Sequence, residues 1–554
     1  MSASSKAQAA SPVSAHPPTA APAAESELEK LPLEVFMIVT TYLANRDIKN
    51  LRLASKCICR RAPLRLERVF LSANPRNVEV FLAIADHPVF RERITEIVWD
   101  DAQLAKHVRN DDAELTWRYW LLEEGPGLDE PRLDGTYPWW FKNECGNEMD
   151  VIKYYIGNDA DRPDILAIKS QLDAQMSLTK SWEHYQELLE QQDQVLETGA
   201  DESALRYGLT RFSSLQRITI TPAAHGFLFY PLYETPMIRA FPKGFWYPIP
   251  RGWPIPHGYN LLTYQLKPWS DEEEKAKWRG FCIVTRELAN LSEQATIPEL
   301  VLDAHHLHTG LNAHIFEERS EEYDNLVKVI ERPGFTRLDL DLLCEQQTVR
   351  GWPCLRNSML KRALSAVKDP HSFSLRTVTN FVEGQRPLTE EDFIPPPLTF
   401  IPVDKWQNLN HFGLSRALVR QEDMLSLLKA LPKTLRSVEL SFLHFRPRNV
   451  GYQSLVDGMR NTLGWGDRIK EERPKVIIRF TFANRRPPHP YYDVNDAVTK
   501  YIHGERDQNP FPNATFDRPA PGTYMVHLAF LPLYTRPTMG SEELIRLGIL
   551  KRER

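Results

Sequence analysis

The chain has 554 residues, a formal net charge of −5, 42% apolar residues and 25% charged residues. At about 150 residues per unit, this length predicts three or four globular units. So small a net charge gives no reason to expect a nucleic-acid or membrane-surface partner. No run approaches the roughly twenty apolar residues that a membrane-spanning helix needs.

Six cysteines are scattered along the chain without a CxxC pair. This use of cysteine is typical of a reducing compartment, so we expect a cytoplasmic or nuclear protein. Residues 1–27 are rich in Ala, Ser and Pro and lack a continuous apolar segment. We expect them to form a disordered leader rather than a signal or transit peptide.

Residues 28–70 predict three short helices. Pro32 suits a first helical turn, Asp47 can cap the second helix, and Ser55 can cap the third. Three helices this short bury little apolar surface by themselves, so we expect the unit to dock on the following chain or on another protein. The first helix carries an apolar stripe at helical spacing, formed by Val35, Ile38, Val39, Tyr42 and Leu43.

Over about forty residues, the same stretch contains Leu31-Pro32-x-Glu34-Val35, Ile38, Tyr42-Leu43, Asp47-Ile48, Leu51 and a basic third helix. This set of residues resembles the F-box. It departs from the family at one point, because many F-boxes carry a Trp in the third helix where this chain has Cys59-Arg60-Arg61. The alternative interpretation is an ordinary N-terminal helical cap.

The resemblance implies a partner, the Skp-family adaptor of SCF (cullin–RING) ubiquitin ligases. F-boxes bind this adaptor through their Leu-Pro start and their apolar helix faces. Some of the corresponding side chains must instead form the small core of the unit, and the sequence does not separate the two groups. Carried over to this chain, the adaptor-binding residues would be Leu31, Pro32, Leu33, Val35, Ile38, Leu43, Ile48 and Leu51.

A phrase with the pattern apolar-x-x-apolar-x-apolar recurs between residues 71 and 483. Each copy predicts a strand, because the fourth and sixth positions alternate and so lie on one face. The first position packs under the sheet, where the chain turns into the strand. The copies begin at Ile94, Leu215, Ile297, Phe335, Leu409 and Leu435, with a weaker copy at Leu375.

Helical segments precede several of these strands, at Tyr323–Ile330, Asn357–Val367 and Met424–Ala430. Strands and helices that alternate at such a period predict an irregular leucine-rich-repeat array. An ordinary α/β domain whose strands share a short apolar pattern is the alternative. An F-box followed by degenerate leucine-rich repeats also resembles a large group of fungal F-box proteins. The predicted class is therefore α/β, with a three-helix F-box followed by an irregular leucine-rich-repeat-like α/β solenoid with long insertions.

Two insertions are predicted, near residues 102–205 and 226–260. The first contains Trp-rich loops and a long helix, Ser177–Glu197. The second, which we call the aromatic segment, interleaves seven prolines with ten aromatic residues. It therefore either packs over the array or presents a binding surface. If it binds, Trp246, Tyr247, Arg251 and Trp253 would lie at its outer edge. Residues 484–554 predict an irregular C-terminal segment with a short helix and an edge strand near 523–534.

In such an array, the solvent-facing strand positions line the concave face. A list of these positions contains more acids than arginines, which weakly predicts a basic target epitope. With the three aromatic-segment residues, the predicted target-binding set is Arg217, Asp303, Arg337, Asp339, Asp341, Glu439, Trp246, Arg251 and Trp253.

Signals for catalysis or metal binding are weak. His305, His306, His308 and His314 cluster in sequence, but no Cys or acidic pair at ligand spacing completes a metal site. HExxH, GxSxG and Walker motifs are missing from the sequence. We therefore expect no metal, no cofactor and no enzymatic activity of the chain itself.

These patterns predict a substrate-recruiting F-box subunit of an SCF ubiquitin ligase. The F-box would hold the adaptor and the repeats would hold a protein target, so the contribution of this chain is proximity. A scaffold protein whose F-box delivers no substrate is the alternative, and an enzyme built around the aromatic segment is a third.

Overall fold

The chain divides into two compact units, residues 1–66 and 67–554. The predicted leader up to residue 25, residues 255–260 of the aromatic segment and the last 27 residues lie outside the described part of the chain. The computed structural model describes residues 26–43, 45–62, 64–106, 137–156, 163–254, 266–292, 295, 297–345, 347, 350–378, 393–445, 450–481, 491–512, 519–520 and 522–527.

The first unit contains helices α1 (Leu33–Thr41), α2 (Asn45–Ala54) and α3 (Lys56–Arg61). Ser55 caps α3 as predicted, since its side chain accepts a hydrogen bond from the Cys57 N–H. Helix α2 begins at Asn45, so Asp47 lies in the first turn and is not the cap. A carboxylate there still favours the positive end of the helix dipole.

A small core joins the three helices. Phe36, Ile48, Ile58 and Ala62 are buried at its centre. The predicted stripe of the first helix does not include Phe36, and the structure places an adjacent face of α1 inside, with Phe36 and Thr40 as its buried residues. The partly buried residues around this core are Leu28, Leu31, Leu43, Leu51 and Leu64.

Two arginines hydrogen-bond to the backbone at the two ends of α1. Arg61 donates to the carbonyl oxygens of Glu29 and Leu31, and its guanidinium lies 4.9 Å from the centre of the Phe36 ring. Arg65 Nη1 donates to the Thr41 carbonyl oxygen at 2.7 Å. The basic residues near the third helix therefore stabilise the unit from within.

The second unit is built on a sheet whose main path is parallel and follows chain order. Its first strand is Arg68–Leu71, and the two units divide after residue 66, whereas the predicted F-box extends to residue 70. The path is β1 (Arg68–Leu71), β2 (Glu96–Asp100), β3 (Arg217–Thr221), β4 (Glu299–Leu302), β6 (Arg337–Leu343), β7 (Ser372–Val378), β8 (His411–Ser415), β10 (Ser437–Glu439) and β12 (Lys475–Ile477).

Shorter strands stand beside this path. Strand β5 (Leu311–Asn312) pairs with β6, and β9 (Leu418–Val419) pairs with β11 (His444–Phe445). The third sheet is antiparallel, with β13 (Arg479–Phe480), β14 (Tyr491–Asp493) and β15 (Met525–His527) in that order. The last of these lies within the predicted edge strand.

Helices connect the strands. The long helix predicted from Ser177 is present, with the Ser177 side chain as its cap. The helices are α4 (Pro75–Asp86), α5 (Trp139–Ile156), α6 (Pro163–Asp173), α7 (Leu178–Thr198), α8 (Ala200–Leu209), α9 (Pro236–Arg239), α10 (Glu272–Lys275), α11 (Arg279–Ala289), α12 (Glu321–Ile330), α13 (Pro353–Arg356), α14 (Met359–Ala366), α15 (Gln421–Ala430), α16 (Tyr452–Thr462) and α17 (Asn495–Ile502).

Strand register accounts for the recurring apolar phrase. Fourth positions of neighbouring copies pair directly, as Ile218 does with Leu300 and Leu300 with Leu338. The weaker copy predicted at Leu375 is misplaced, because Phe373 is the residue that pairs with Leu338 and Phe412. The phrase of this strand begins at Pro370. Proline is apolar, but a search that accepts only aliphatic residues at the first position misses it.

The second unit is therefore an α/β structure with a mostly parallel open sheet and many helices. Its core lies on the side of the sheet that carries the fourth and sixth positions of the phrases. Among the described residues, no helix is both long enough and apolar enough to cross a membrane.

Candidate protein-interaction surfaces

The first unit exposes an unusual share of its apolar side chains. Seven of the thirteen exposed large apolar residues in the described part of the chain lie between residues 33 and 53. Ile38 is 59% exposed and Tyr42 85% exposed. We call these seven the apolar surface: Leu33, Val35, Met37, Ile38, Val39, Tyr42 and Leu53.

The structure separates the predicted adaptor-binding residues into two groups. Ile48 is fully buried, and Leu31, Leu43 and Leu51 pack against the core around it. These four therefore hold the unit together. The remaining four are exposed: Pro32, Leu33, Val35 and Ile38.

The polar face of the main sheet carries a ladder of opposite charges. Arg68, Glu96, Arg217, Glu299 and Arg337 stand opposite one another across five neighbouring strands. The Arg68–Glu96 and Arg217–Glu299 pairs are both 2.6 Å apart, and Arg337 also reaches Glu299 at 3.6 Å. These arginines are thus neutralised within the protein.

The predicted target-binding acids are paired in the same way. Arg337 lies 2.6 Å from Asp339, and Glu439 lies 3.2 Å from Arg479. Burial nevertheless raises the pKa of Asp339, and the Arg337 charge only partly opposes that effect. Asp303 stands at the end of β4, where it contacts His305 at 3.1 Å.

Asp341 does not face solvent as predicted. It is buried, accepts the Ala304 N–H at 2.7 Å and pairs with Arg376 at 2.8 Å. Burial raises its pKa to about 7, although the Arg376 charge lowers it. A buried carboxylate needs such partners, so the role of this residue is structural.

Shorter side chains occupy the polar face farther along the sheet. Ser372, Ser374 and Ser437 are half-buried, and Gly413 lies beside Ser374. A Cβ added at Gly413 would approach the Ser374 Oγ to 2.7 Å, so the strip is shallow and closely packed. Strands β7, β8 and β10 therefore offer a shallow polar surface between charged neighbours.

The aromatic segment packs into the second unit. Trp253 is completely buried and its indole N–H donates to Asp101 Oδ2 at 2.8 Å. Tyr247 is also buried, so the prediction that these two residues lie at an outer edge is wrong. Polar groups inside the unit satisfy the N–H or O–H groups of these rings, so the large amphipathic side chains can be buried.

The two remaining predicted residues of this segment are half-buried. Trp246 donates its indole N–H to the Met176 carbonyl oxygen at 2.9 Å. Arg251 donates to the Gly226 carbonyl oxygen at 2.6 Å and lies 3.8 Å from Glu148. Both therefore have internal partners.

Asp100, His225 and Tyr247 form a row that resembles a catalytic triad only in composition. His225 Nδ1 lies 2.9 Å from the Tyr247 hydroxyl, and Nε2 lies 3.8 Å from Asp100. Burial raises the pKa of Asp100 to about 8 and lowers that of His225 to about 3. The raised pKa of Asp100 and the lowered pKa of His225 both favour the neutral forms, so this contact is not an ion pair, and both side chains are buried.

The clustered histidines have separate partners. His314 Nδ1 lies 3.0 Å from Glu317, His308 Nε2 lies 3.1 Å from Arg416, and the His306 ring stacks on Tyr491. Burial lowers the pKa of His306 to about 3. Within the described ranges, no group of three or more His, Cys, Asp or Glu side chains is arranged to hold a metal.

No protein-family model matches the chain, and no curated protein is significantly similar to it. The residues of the apolar surface and of the polar sheet face therefore carry what can be inferred about its function.

Proposed function

We propose that the chain is the substrate-recruiting F-box subunit of an SCF ubiquitin ligase. The first unit docks on the Skp-family adaptor, and the second unit binds a protein target. The chain supplies no chemistry of its own. It raises the effective concentration of target lysines near the ubiquitin-carrying enzyme.

The apolar surface is the observation that carries this proposal. Exposed apolar side chains cluster on the first unit, and such patches mark protein interaction sites. Covering them removes apolar area from water, at about 25 cal/mol per Å². The exposed members of the predicted adaptor set belong to this cluster or adjoin it, which supports an external partner.

The second unit would be an irregular leucine-rich-repeat-like solenoid. Its strands follow chain order along one parallel sheet, and the same apolar phrase precedes most of them. The target would lie on the polar face. Because the ladder from Arg68 to Arg337 is internally paired, the shallow strip on β7, β8 and β10 is the better place for contact.

Adaptor binding can be tested with two isoleucines of nearly equal exposure. Ile38 lies on the apolar surface, whereas Ile469, which is 63% exposed, lies on the second unit. We expect Ile38→Ala combined with Leu33→Ala to weaken binding to a purified Skp-family adaptor by about tenfold or more. Ile469→Ala should leave the dissociation constant unchanged, as measured by calorimetry.

Leu31→Ala is a poorer test, because Leu31 packs on the core and its loss would also unfold the unit. If the Leu33 and Ile38 double variant remains folded and binds the adaptor as well as the unmodified chain does, the proposal is wrong. Adaptor binding without target-dependent ubiquitination in a reconstituted ligase would favour the scaffold alternative.

A further inference from the structure

Arg416 follows β8 at the carboxyl edge of the main sheet. Within the described part of the chain, no Asp or Glu forms an ion pair with its guanidinium. The carboxylate that most affects it is Asp341. That acid is already paired with Arg376 at 2.8 Å.

The surroundings of Arg416 disfavour its charge. Its side chain is half-buried, and burial, followed by repulsion from Arg376, lowers its pKa to about 9. An arginine keeps its proton in nearly all proteins, so the charge remains while its hydration is reduced. A bound anion would compensate it.

The guanidinium is held in a fixed orientation. It lies 4.9 Å from the centre of the Phe442 ring, and Phe442 stands edge-on to Tyr491 at 6.0 Å. Nη1 lies 3.1 Å from His308 Nε2. This is the one hydrogen bond of the Arg416 side chain to the described residues, although a guanidinium carries five N–H donors.

The backbone of Arg416 supports a functional role independently. Its φ angle is 59°, in the left-handed region that residues other than glycine seldom adopt. Its N–H donates to the Ser441 carbonyl oxygen at 3.1 Å, and its carbonyl oxygen accepts from the Thr377 hydroxyl at 3.3 Å. Such conformations persist where the surroundings enforce them, and they concentrate at ligand sites.

We propose that Arg416 anchors an oxyanion-binding site at the carboxyl edge of the sheet, which takes a carboxylate or phosphate group of a bound partner. A planar guanidinium binds both groups through paired hydrogen bonds. Ligands of open α/β sheets also collect beyond the carboxyl ends of the strands. The site lies in the second unit and does not depend on adaptor binding.

Simple anions can test the site in the full-length chain. Tryptophan fluorescence follows the second unit alone, because all 13 Trp residues lie after residue 66. We would compare thermal unfolding midpoints in chloride, acetate and phosphate at equal ionic strength. Phosphate or acetate should raise the midpoint by about 2 °C over chloride. The anion with the larger effect identifies the preferred group.

Two arginine variants make the test specific. Arg416→Gln should abolish the difference between anions. Arg473→Gln is the matched control, because Arg473 precedes β12 at the opposite edge and is paired with Glu505 at 3.0 Å. This control should keep the full shift.

A shift of equal size in all variants would indicate general exclusion of phosphate from protein surfaces and would overturn the proposal. Equal midpoints in all three salts for the unmodified chain would overturn it as well. If Arg416→Gln does not fold, Arg416→Lys replaces it. Arg416→Lys keeps the charge without the planar donor group, so the anion-dependent shift of its midpoint should be smaller than that of the unmodified chain. A shift of unreduced size counts against the site.

Discussion

The two units bury apolar surface in opposite ways. The first has a core of four fully buried residues and leaves seven large apolar side chains in water. The second encloses whole tryptophans, among them Trp99, Trp278 and Trp406, and pairs the charges on its polar face. The two proposals accordingly rest on different features: exposed apolar area in the first unit and, in the second, Arg416, which has no carboxylate partner among the described residues.

The core of the first unit should be the most sensitive point. We expect Phe36→Ala to destabilise that unit by about 3–5 kcal/mol, because the ring is fully buried and lies beneath Arg61. Limited proteolysis should then cleave within residues 26–66, while the fluorescence-detected midpoint of the second unit stays the same. Tyr42→Ala, at an exposed position of the same unit, is the control. If the unfolding midpoint of the second unit also falls in Phe36→Ala, the two units are not independent and the comparison fails.

A smaller effect is expected from Asp100 in the second unit. Its pKa in the folded protein, about 8, lies above the unfolded value of about 3.9, so the folded state binds the proton more tightly. The stability it contributes is therefore complete below about pH 4 and is lost as the pH rises through 8. Asn cannot ionise and can still accept the Ala102 N–H.

Asp100→Asn should accordingly raise the free energy of unfolding at pH 9 by about 1–3 kcal/mol and change it little near pH 4. Urea unfolding followed by tryptophan fluorescence measures both values. Asp496→Asn, at a side chain that is 83% exposed, should show no such pH dependence. A variant whose stability falls in parallel with that of the unmodified chain would contradict the assignment.

The smallest effect is expected from the Arg337–Asp339 pair at the end of the charge ladder. A double-mutant cycle of Arg337→Met and Asp339→Asn should give a coupling free energy of about 0.5–1 kcal/mol, because the Arg337 side chain is 33% exposed and solvent screens the pair. The coupling should shrink in 1 M salt. Coupling well above 2 kcal/mol would show that the polar face stabilises the second unit as strongly as its core does.

Periodic patterns in the sequence predicted much of the second unit. The apolar phrases that begin at Leu215, Phe335 and Leu435 each run into an observed strand, and the α/β class is confirmed. The copy at Leu375 was assigned the wrong frame, since Pro370 fills the first position. Local spacing cannot reveal such a substitution, because strand register depends on the neighbouring strands.

Side-chain environments were harder to predict. Val35 and Ile38 have the spacing of a buried stripe, yet Phe36, one residue away, occupies the core. Trp253 was expected at a surface, but Asp101 satisfies its N–H inside the unit. The sequence gives no signal for the proposed site at Arg416, because the partners of this residue are distant in sequence and composition does not encode its backbone conformation.

The order of the strands along the main sheet has a consequence for how this protein can vary. Strands β2 and β3 are direct neighbours although residues 101–216 separate them in the chain. Each strand of the main sheet pairs with the one before it in the path, so long segments can be inserted between two strands without changing the other pairings. Lineages of this protein can therefore differ widely in length between strands while keeping the same succession of pairings.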